Sequence, residues 1–186
     1  MKRIILSALI ALMAIAASAQ SLVVYYSRPG NNYTSEGIVN LKVGNTQVVA
    51  EKIQSLTGAD IFRIETVKSY PEDYMKCTEV AREELSDKAR PALKADIDIS
   101  KYDTIYLGWP CWWGTMPMCV FTFLESHDWN GKTIIPFTTH EASGFGSGLR
   151  DLRSSAKGAT VKNGLSLRGS AVKDSMKEIE DFVNGK

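Results

Sequence analysis

The chain has 186 residues, with 22 Lys and Arg against 21 Asp and Glu, and its formal net charge at pH 7 is +1. A balance this close to neutral, without runs of like charge, excludes the strongly basic surface of a nucleic-acid-binding protein. The length predicts about one domain, which is large enough to bury its own core without disulfides or a structural metal.

Residues 1–19 have the pattern of a secretory signal peptide. Two basic residues follow the first methionine, an almost uncharged apolar run covers residues 4–17, and an Ala-x-Ala cleavage site ends at Ala19. We therefore predict cleavage after Ala19, export to the periplasm and a mature domain of residues 20–186. The apolar run is short for a transmembrane helix, so no stable membrane span is expected after cleavage. An uncleaved membrane anchor is the alternative.

The rest of the chain alternates between strand and helix patterns. Short runs rich in β-branched and aromatic residues, or alternating in polarity, predict strands at residues 22–26, 60–65, 104–109, 132–138 and 160–167. Apolar residues three and four apart predict helices at residues 46–56, 74–85, 117–126 and 145–156, and a last helix marked by Met176, Ile179 and Val183. This alternation indicates an α/β fold, with helices on both faces of a parallel sheet.

The loop after the first predicted strand has a composition suited to phosphate. Residues 27–32 contain a hydroxyl, a glycine and two amides, and backbone N–H groups of such a loop bind anions together with a helix N-terminus. No helix follows directly, because residues 33–43 lack clear periodicity. We therefore predict a split phosphate site, with Ser27 and Arg28 on one side of an excursion and residues 44–46 on the other. An ordinary turn and a simple helix cap are the alternative.

An aromatic loop follows the third predicted strand, where residues 109–114 read Trp-Pro-Cys-Trp-Trp-Gly. In open α/β sheets, ligands bind beside the carboxyl ends of the strands. The indoles of Trp112 and Trp113 have the shape to stack on a flat aromatic ligand. The alternative is that these tryptophans belong to the core or to an interface.

The three cysteines, Cys77, Cys111 and Cys119, lack the spacing of a zinc site, and no metal site is predicted. At least one cysteine of an exported protein with three is unpaired. Cys111 and Cys119 are close enough in sequence to form a disulfide across a loop and a helix. Buried free thiols and a redox-active Cys111 beside a cofactor are the other two interpretations.

With these patterns the chain resembles the flavodoxin-like domains of bacterial flavoproteins. The resemblance covers nearly all of the mature chain and rests on residues 24–28, 43–50, 70–74, 107–117 and 137–146. The aromatic segment 107–117 is the most specific of these. The resemblance implies a flavodoxin-like three-layer α/β/α sandwich, with a five-stranded parallel sheet in the order 2-1-3-4-5. It also implies non-covalently bound FMN as the cofactor.

The resemblance also places the FMN. Its phosphate would lie at the first loop, and its ring between the loops that follow the third and fourth strands. The family's phosphate loop is normally a continuous Ser/Thr-x-Thr-Gly-Asn-Thr, which residues 28–43 interrupt here. The implied cofactor-binding residues are Ser27, Arg28, Gly44, Asn45, Thr46, Pro110, Cys111, Trp112, Trp113, Gly114, Thr138, Thr139, His140 and Gly144.

Three functions follow from the resemblance. The first is electron transfer between the flavin and a redox partner protein. The second is an FMN-dependent NAD(P)H:quinone or nitro-compound oxidoreductase, with a small quinone-like substrate and Tyr33 as part of a wall or lid. The third is a flavin-free domain that binds another ligand or a partner. The near-neutral charge weakens the first, because carriers of this family are strongly acidic. Export weakens the second, because nicotinamide cofactors are made in the cytoplasm.

Overall fold

The computed structural model describes residues 20–186, so the predicted signal peptide lies outside the described residues. No helix within this described part is long and apolar enough to cross a membrane.

Strands and helices alternate along the described chain. The strands are β1 (Gln20–Tyr25), β2 (Gly30–Thr34), β3 (Gly37–Leu41), β4 (Asp60–Arg63), β5 (Tyr102–Pro110), β6 (Thr133–His140), β7 (Thr160–Val161) and β8 (Leu165–Arg168). The α-helices are α1 (Asn45–Thr57), α2 (Tyr74–Ser86), α3 (Met118–Glu125), α4 (Gly148–Ser155) and α5 (Met176–Val183), and a 3₁₀ helix covers Gly169–Asp174. Each predicted helix is present within a few residues of its expected bounds.

The central sheet is parallel and confirms the predicted strand order. Its strands lie in the order β4-β1-β5-β6-β7, and β8 also pairs with β6. In terms of the five predicted strands, β1, β4, β5 and β6 are the first to the fourth, and β7 with β8 is the fifth. The observed order is therefore 2-1-3-4-5, as predicted. Strand β1 is an interior strand, since Leu22 lies opposite both Asp60 of β4 and Ile105 of β5. Parallel strands end at a common edge, so the loops after β1, β5 and β6 meet there.

The core lies on both faces of this sheet. Successive strand residues point to opposite faces of the sheet. Leu22 and Val23 are neighbours and are both fully buried, so both faces of the sheet are covered at this point. Leu22 belongs to the cluster that contains Phe123 of α3. Val23 belongs to the cluster that contains Ile53 of α1 and Ile179 of α5. The helices therefore form the two outer layers of the predicted sandwich.

The last predicted strand, residues 160–167, consists of two short strands. β7 pairs with the beginning of β6, where Thr133 lies opposite Thr160, and β8 pairs with the end of β6. The break contains Gly164, at which a Cβ would lie 2.5 Å from the carbonyl oxygen of Pro136. The glycine therefore permits a close backbone approach at the break between the two strands.

The excursion between β1 and α1 is a β-hairpin that the sequence pattern did not reveal. β2 and β3 pair antiparallel, from Gly30 opposite Leu41 to Thr34 opposite Gly37, and form a separate two-stranded sheet. Gly37 has φ +106°, a backbone conformation that glycine adopts without strain. The Thr34 hydroxyl donates to the Gly37 carbonyl oxygen at 3.0 Å and so closes the turn. The hairpin brings the chain back to the edge of the sheet just before α1.

Candidate functional site

The two halves of the split loop meet at the N-terminus of α1. A Cβ on Gly44 would lie 2.3 Å from Ser27 Oγ and 2.6 Å from the carbonyl oxygen of Arg28, so the two backbone segments are in close contact. Ser27 Oγ accepts a hydrogen bond from the backbone N–H of Gln47 at 3.1 Å. Gly44, the residue at the N-cap position, has no side chain, and Ser27 supplies the capping oxygen from across the hairpin.

The first turn of α1 provides donors for an anion. The N–H groups of Asn45 and Thr46 have no acceptor within the helix, and the helix dipole favours negative charge at this end. The Thr46 side chain is buried, and its Oγ1 lies 2.7 Å from Oγ1 of Thr139 at the end of β6. This hydroxyl pair fixes the N-terminus of α1 against the carboxyl edge of the sheet.

A cavity of about 290 Å³ opens at this edge. We call it the edge cavity. Its lining combines hydroxyls, amides, one guanidinium group and aromatic rings from six separate parts of the chain. The lining residues are Ser27, Arg28, Asn32, Tyr33, Asn45, Thr46, Tyr74, Pro110, Cys111, Trp112, Thr139, His140, Glu141, Ala142, Ser143 and Gly169.

Nine of the fourteen predicted cofactor-binding residues line the edge cavity, namely Ser27, Arg28, Asn45, Thr46, Pro110, Cys111, Trp112, Thr139 and His140. The other five, Gly44, Trp113, Gly114, Thr138 and Gly144, do not line it. Thr138 is buried and donates from Oγ1 to the carbonyl oxygen of Trp109 at 2.9 Å. Trp109 is itself fully buried, so the core interpretation holds for that tryptophan.

The adjacent residues Trp112 and Trp113 have different environments. Trp112 lines the edge cavity and packs edge-on against Tyr26 and Tyr70, with ring centroids 5.4 Å and 5.0 Å away. Trp113 is 53% exposed, and its Nε1 donates to the carbonyl oxygen of Thr78 on α2 at 2.9 Å. Its φ of +50° is rare for a bulky residue and marks a sharp turn of the chain between the two indoles. Only Trp112 therefore forms a wall of the edge cavity.

The aromatic loop is fixed to the loop that follows β6. The carbonyl oxygen of Gly114 accepts hydrogen bonds from the backbone N–H and the Oγ of Ser147, at 2.7 Å and 3.2 Å. A Cβ on Gly146 would lie 2.1 Å from the same carbonyl oxygen. Gly144 has φ +58°, in the left-handed region that favours glycine. These glycines therefore allow the two loops beside the cavity to pack closely together. Gly114 and Gly144 themselves do not line the cavity.

Arg28 is a buried cation at the cavity wall. Its guanidinium group donates to the backbone carbonyl oxygens of Asn31, Pro71 and Glu72, with 2.6 Å to that of Pro71. It thereby joins the hairpin to the segment that precedes α2. All three acceptors are neutral, and Arg28 forms no ion pair within residues 20–186, so it adds positive charge beside the cavity.

His140, at the end of β6, has an unused hydrogen-bonding atom. Its Nδ1 is buried and has no hydrogen-bond partner among residues 20–186. Burial lowers the pKa of His140; Arg168 lowers it further, while Glu141 opposes the change. The ring is therefore neutral near pH 7. Because an unpaired buried polar atom is costly, this site suits a ligand that brings a partner for it.

The protonation of His140 leads to a testable pH dependence. Its folded-state pKa lies below the ordinary value, so the unfolded chain binds the proton more readily. The free energy of unfolding of the ligand-free protein should therefore decrease as the pH falls below about 6.5. His140→Gln should make this decrease smaller, as measured by urea unfolding between pH 7.5 and pH 5.5 (our choice, about one unit on each side of the ordinary pKa). Parallel curves for the two proteins would contradict the burial of a neutral His140, because every other titrating group is common to both.

All three cysteines are free thiols, and the interpretation of a disulfide between Cys111 and Cys119 is not supported. Burial raises the pKa of Cys77 and that of Cys119, so both behave as apolar core groups. Cys111 is half-buried and lines the edge cavity. Its backbone N–H donates to the carbonyl oxygen of Thr139 at 2.8 Å, which ties the aromatic loop to β6.

Seven lining residues are not among the fourteen predicted cofactor-binding residues, namely Asn32, Tyr33, Tyr74, Glu141, Ala142, Ser143 and Gly169. A Cβ on Gly169 would lie 2.5 Å from Asn45 Nδ2 and 2.8 Å from Glu141 Oε1, so this glycine makes room at the floor of the site. The sequence contains an indication of this role, because Gly169 directly follows the last strand, at the edge of the sheet where ligands bind.

The comparisons with known proteins agree with this architecture. A family model described as flavodoxin matches residues 39–183. A candidate flavoprotein from Bacteroides eggerthii DSM 20697 is 27% identical, with a TM-score of 0.65 over 88% of this chain and 99% of that one. A second, from Bacteroides uniformis ATCC 8492, is 28% identical, with a TM-score of 0.64 over 86% and 98% of the two chains.

A flavoprotein from Lactobacillus acidophilus NCFM, crystallised in complex with FMN, has the same fold. It is 19% identical, with a TM-score of 0.61 over 86% of this chain and 99% of that one. No curated protein matches the chain. Because the family model covers most of the sequence and the sheet has the predicted strand order, the chain belongs to the flavodoxin family.

Proposed function

We propose that this protein is an exported electron-transfer protein that binds FMN non-covalently in the edge cavity. The observation that carries the proposal is the meeting of a helix N-terminus and an indole wall in one cavity at the carboxyl edge of the sheet. Membership of the flavodoxin family and the FMN complex of the Lactobacillus acidophilus relative support FMN as the cofactor.

The residues at the N-terminus of α1 fit the phosphate of FMN. The N–H groups of Asn45 and Thr46 are free for an anion, and the Thr46 and Thr139 hydroxyls stand beside them. The Ser27 oxygen accepts from Gln47, so its own proton is free to be donated. Because Arg28 adds a nearby positive charge, this part of the cavity favours a phosphate dianion over a neutral group.

The other side of the cavity fits a flat ring. Stacking against the half-buried Trp112 would remove apolar area of both rings from water. The two tyrosines packed against Trp112 hold the indole in place before any ligand arrives. His140 adds a neutral imidazole whose Nδ1 lacks a partner. When bound, FMN would supply a ring that accepts and releases electrons, and these residues would set its environment.

Export is proposed from the sequence pattern of residues 1–19. Cleavage after Ala19 would leave Gln20 as the first residue, and Gln20 already pairs with Tyr102 in the sheet. The electron-transfer assignment is preferred to a nicotinamide-dependent reductase because an exported protein would meet little nicotinamide cofactor, which is made in the cytoplasm.

The experiment that tests the proposal is the identification of the bound molecule. The protein expressed from the full chain should be isolated with its natural export, and its visible spectrum and the mass of any molecule released on denaturation should be recorded. We expect a yellow protein that releases about one FMN per chain, because the edge cavity is proposed as the single flavin site. A colourless protein that also fails to quench the fluorescence of added FMN would contradict the proposal.

A further inference from the structure

A second cavity lies beside the end of β4. This space, which we call the β4 cavity, has a volume of about 230 Å³. It is lined by residues 26–29 after β1, by residues 63–66, by residues 69–72 and by Lys94. It shares only Ser27 and Arg28 with the edge cavity, so it is a separate space with a wall of its own.

Arg63 brings a positive charge with unused donors to the β4 cavity. It is the last residue of β4 and lies opposite Tyr25 of β1, so the parallel register places it at the carboxyl edge of the sheet. A guanidinium group carries five N–H donors. Within residues 20–186, Arg63 uses one of them, from Nη2 to the carbonyl oxygen of Ser27 at 3.2 Å.

The rest of the Arg63 guanidinium group is unsatisfied. Its Nε is buried and has no hydrogen-bond partner in the described part of the chain. Arg63 also forms no ion pair among residues 20–186. A buried donor without a partner lowers the stability of the fold, and a half-buried cation without a counter-ion attracts an anion more strongly than an exposed one does. Arg63 is therefore suited to an acceptor from outside the protein.

Two further donors stand in the same lining. The Lys94 Nζ lies 3.8 Å from Oε1 of Glu65, too far for a hydrogen bond, and both side chains are about half exposed. Such a surface pair contributes little, so the ammonium group of Lys94 is available to a ligand. Ser69 adds an exposed hydroxyl to the lining.

The acidic residues of the lining do not cancel this charge. Glu65 and Glu72 line the β4 cavity, and both are exposed, whereas Arg63 is half-buried. Water and salt screen exposed charges more than they screen half-buried ones. The half-buried part of the lining is therefore positive.

We propose that the β4 cavity binds a small oxyanion, a phosphate or a carboxylate group, with Arg63 as its main partner and Lys94 and Ser69 as further donors. The planar guanidinium group matches two oxygens of such a group. The volume is below the range of sites for drug-sized molecules, so the ligand is small. Neither Ser27 nor Arg28, which are assigned to the flavin phosphate, is required as a donor. The proposal does not depend on FMN.

The test is a nuclear magnetic resonance titration of the FMN-loaded protein with inorganic phosphate and, separately, with acetate. Excess FMN keeps phosphate out of the edge cavity, and FMN fluorescence reports any displacement. The N–H signal of Arg63 Nε and the backbone amide signal of Ser69 report binding at the β4 cavity. The same titrations of the FMN-free protein show whether binding there requires the flavin.

Three variants locate the anion. Arg63→Gln removes the main partner. Lys94→Gln removes a side chain that is about half exposed, so its effect does not depend on a change of fold. The matched control is Lys101→Gln, because the Lys101 side chain is 57% exposed, lies 3.4 Å from Asp60 and does not line the β4 cavity.

We expect one anion per FMN-loaded chain, bound about tenfold more weakly by Arg63→Gln, which equals about 1.4 kcal/mol. Lys94→Gln should bind it about threefold more weakly, and Lys101→Gln should bind it like the unmodified protein. The anion that binds more tightly identifies the preferred group.

The proposal would be overturned if neither anion shifted the Arg63 and Ser69 signals, or if Lys94→Gln and Lys101→Gln lost equal affinity. Phosphate binding that occurs only without FMN would place the phosphate at α1 and would also overturn it. If FMN does not bind at all, the proposed function fails. Anion binding that shifts the Ser69 signal and weakens in Arg63→Gln would still support the β4 cavity.

Discussion

Replacement of Gly44 by alanine is expected to weaken FMN binding by about 100-fold, or about 2.7 kcal/mol, while the central sheet stays folded. Gly44 has φ −69° and ψ 147°, a conformation that any residue adopts, so the effect is purely steric. The new Cβ would lie 2.3 Å from Ser27 Oγ and 2.6 Å from the Arg28 carbonyl oxygen. The two halves of the loop would have to separate, and the free N–H groups of α1 would move away from the phosphate. Titration with FMN fluorescence as the readout measures the loss.

The matched control is Gly131→Ala. Gly131 has φ +75° and open space around its Cα, so alanine there costs backbone strain of about 1 kcal/mol without a steric clash. Gly131 does not line the edge cavity, so this variant should keep its FMN affinity despite lower stability. Equal FMN affinities in the two variants would mean that the phosphate does not bind where Ser27 and Arg28 meet Gly44. Urea unfolding of both proteins separates loss of binding from loss of stability.

The second large effect is expected for Trp112→Ala. This change removes the indole wall of the edge cavity and the edge-on contacts to Tyr26 and Tyr70. We expect an FMN affinity about 30-fold lower, corresponding to about 2 kcal/mol of lost apolar contact and stacking. The free energy of unfolding should also decrease, by about 2–3 kcal/mol, because the space left below a half-buried indole is not refilled. FMN titration and urea unfolding measure the two quantities.

Trp113→Ala is the control for this substitution, because it removes the same side chain one residue later. Trp113 is more than half exposed and does not line the edge cavity. Its loss should change the FMN affinity by no more than about threefold, which is less than about 0.7 kcal/mol. An equal loss of FMN affinity in both variants would instead mean that Trp113 also contacts the flavin.

The alternation of strands and helices could be predicted from the sequence because it is a local property. The run 22–26 is apolar throughout, as expected for a strand buried on both faces, and β1 is indeed an interior strand of the sheet. Residues such as Val49 and Ile53 repeat at helical spacing and lie on the buried face of α1. The edge of the sheet that carries the site then follows from topology, since parallel strands must end together. Nine predicted residues share one cavity for that reason.

The hairpin was beyond this kind of reasoning. Strand β2 contains Asn31 and Asn32, and its sequence does not alternate between polar and apolar residues. The hairpin forms a separate sheet of only two strands, which does not require such alternation. The Asn40 side chain donates to Oδ1 of Asn31 at 3.1 Å, a pairing of polar groups across the strands that leaves no periodic signal. The division of the last predicted strand into β7 and β8 could not be predicted either. It depends on the close approach of Gly164 to Pro136, a contact between residues that are distant in the sequence.

The sequence by itself determined the family, the strand order and the edge of the sheet at which the candidate site lies. Only the tertiary structure decided that Ser27 caps α1 across the hairpin, that Arg28 binds carbonyl oxygens near α2, and that Trp112 and Trp113 face different spaces. Periodicity and composition report on neighbours along the chain, whereas these contacts join residues 20 to 44 positions apart. Such contacts depend on the packing of the whole domain, because each position can be satisfied by many partners until the fold brings one of them close.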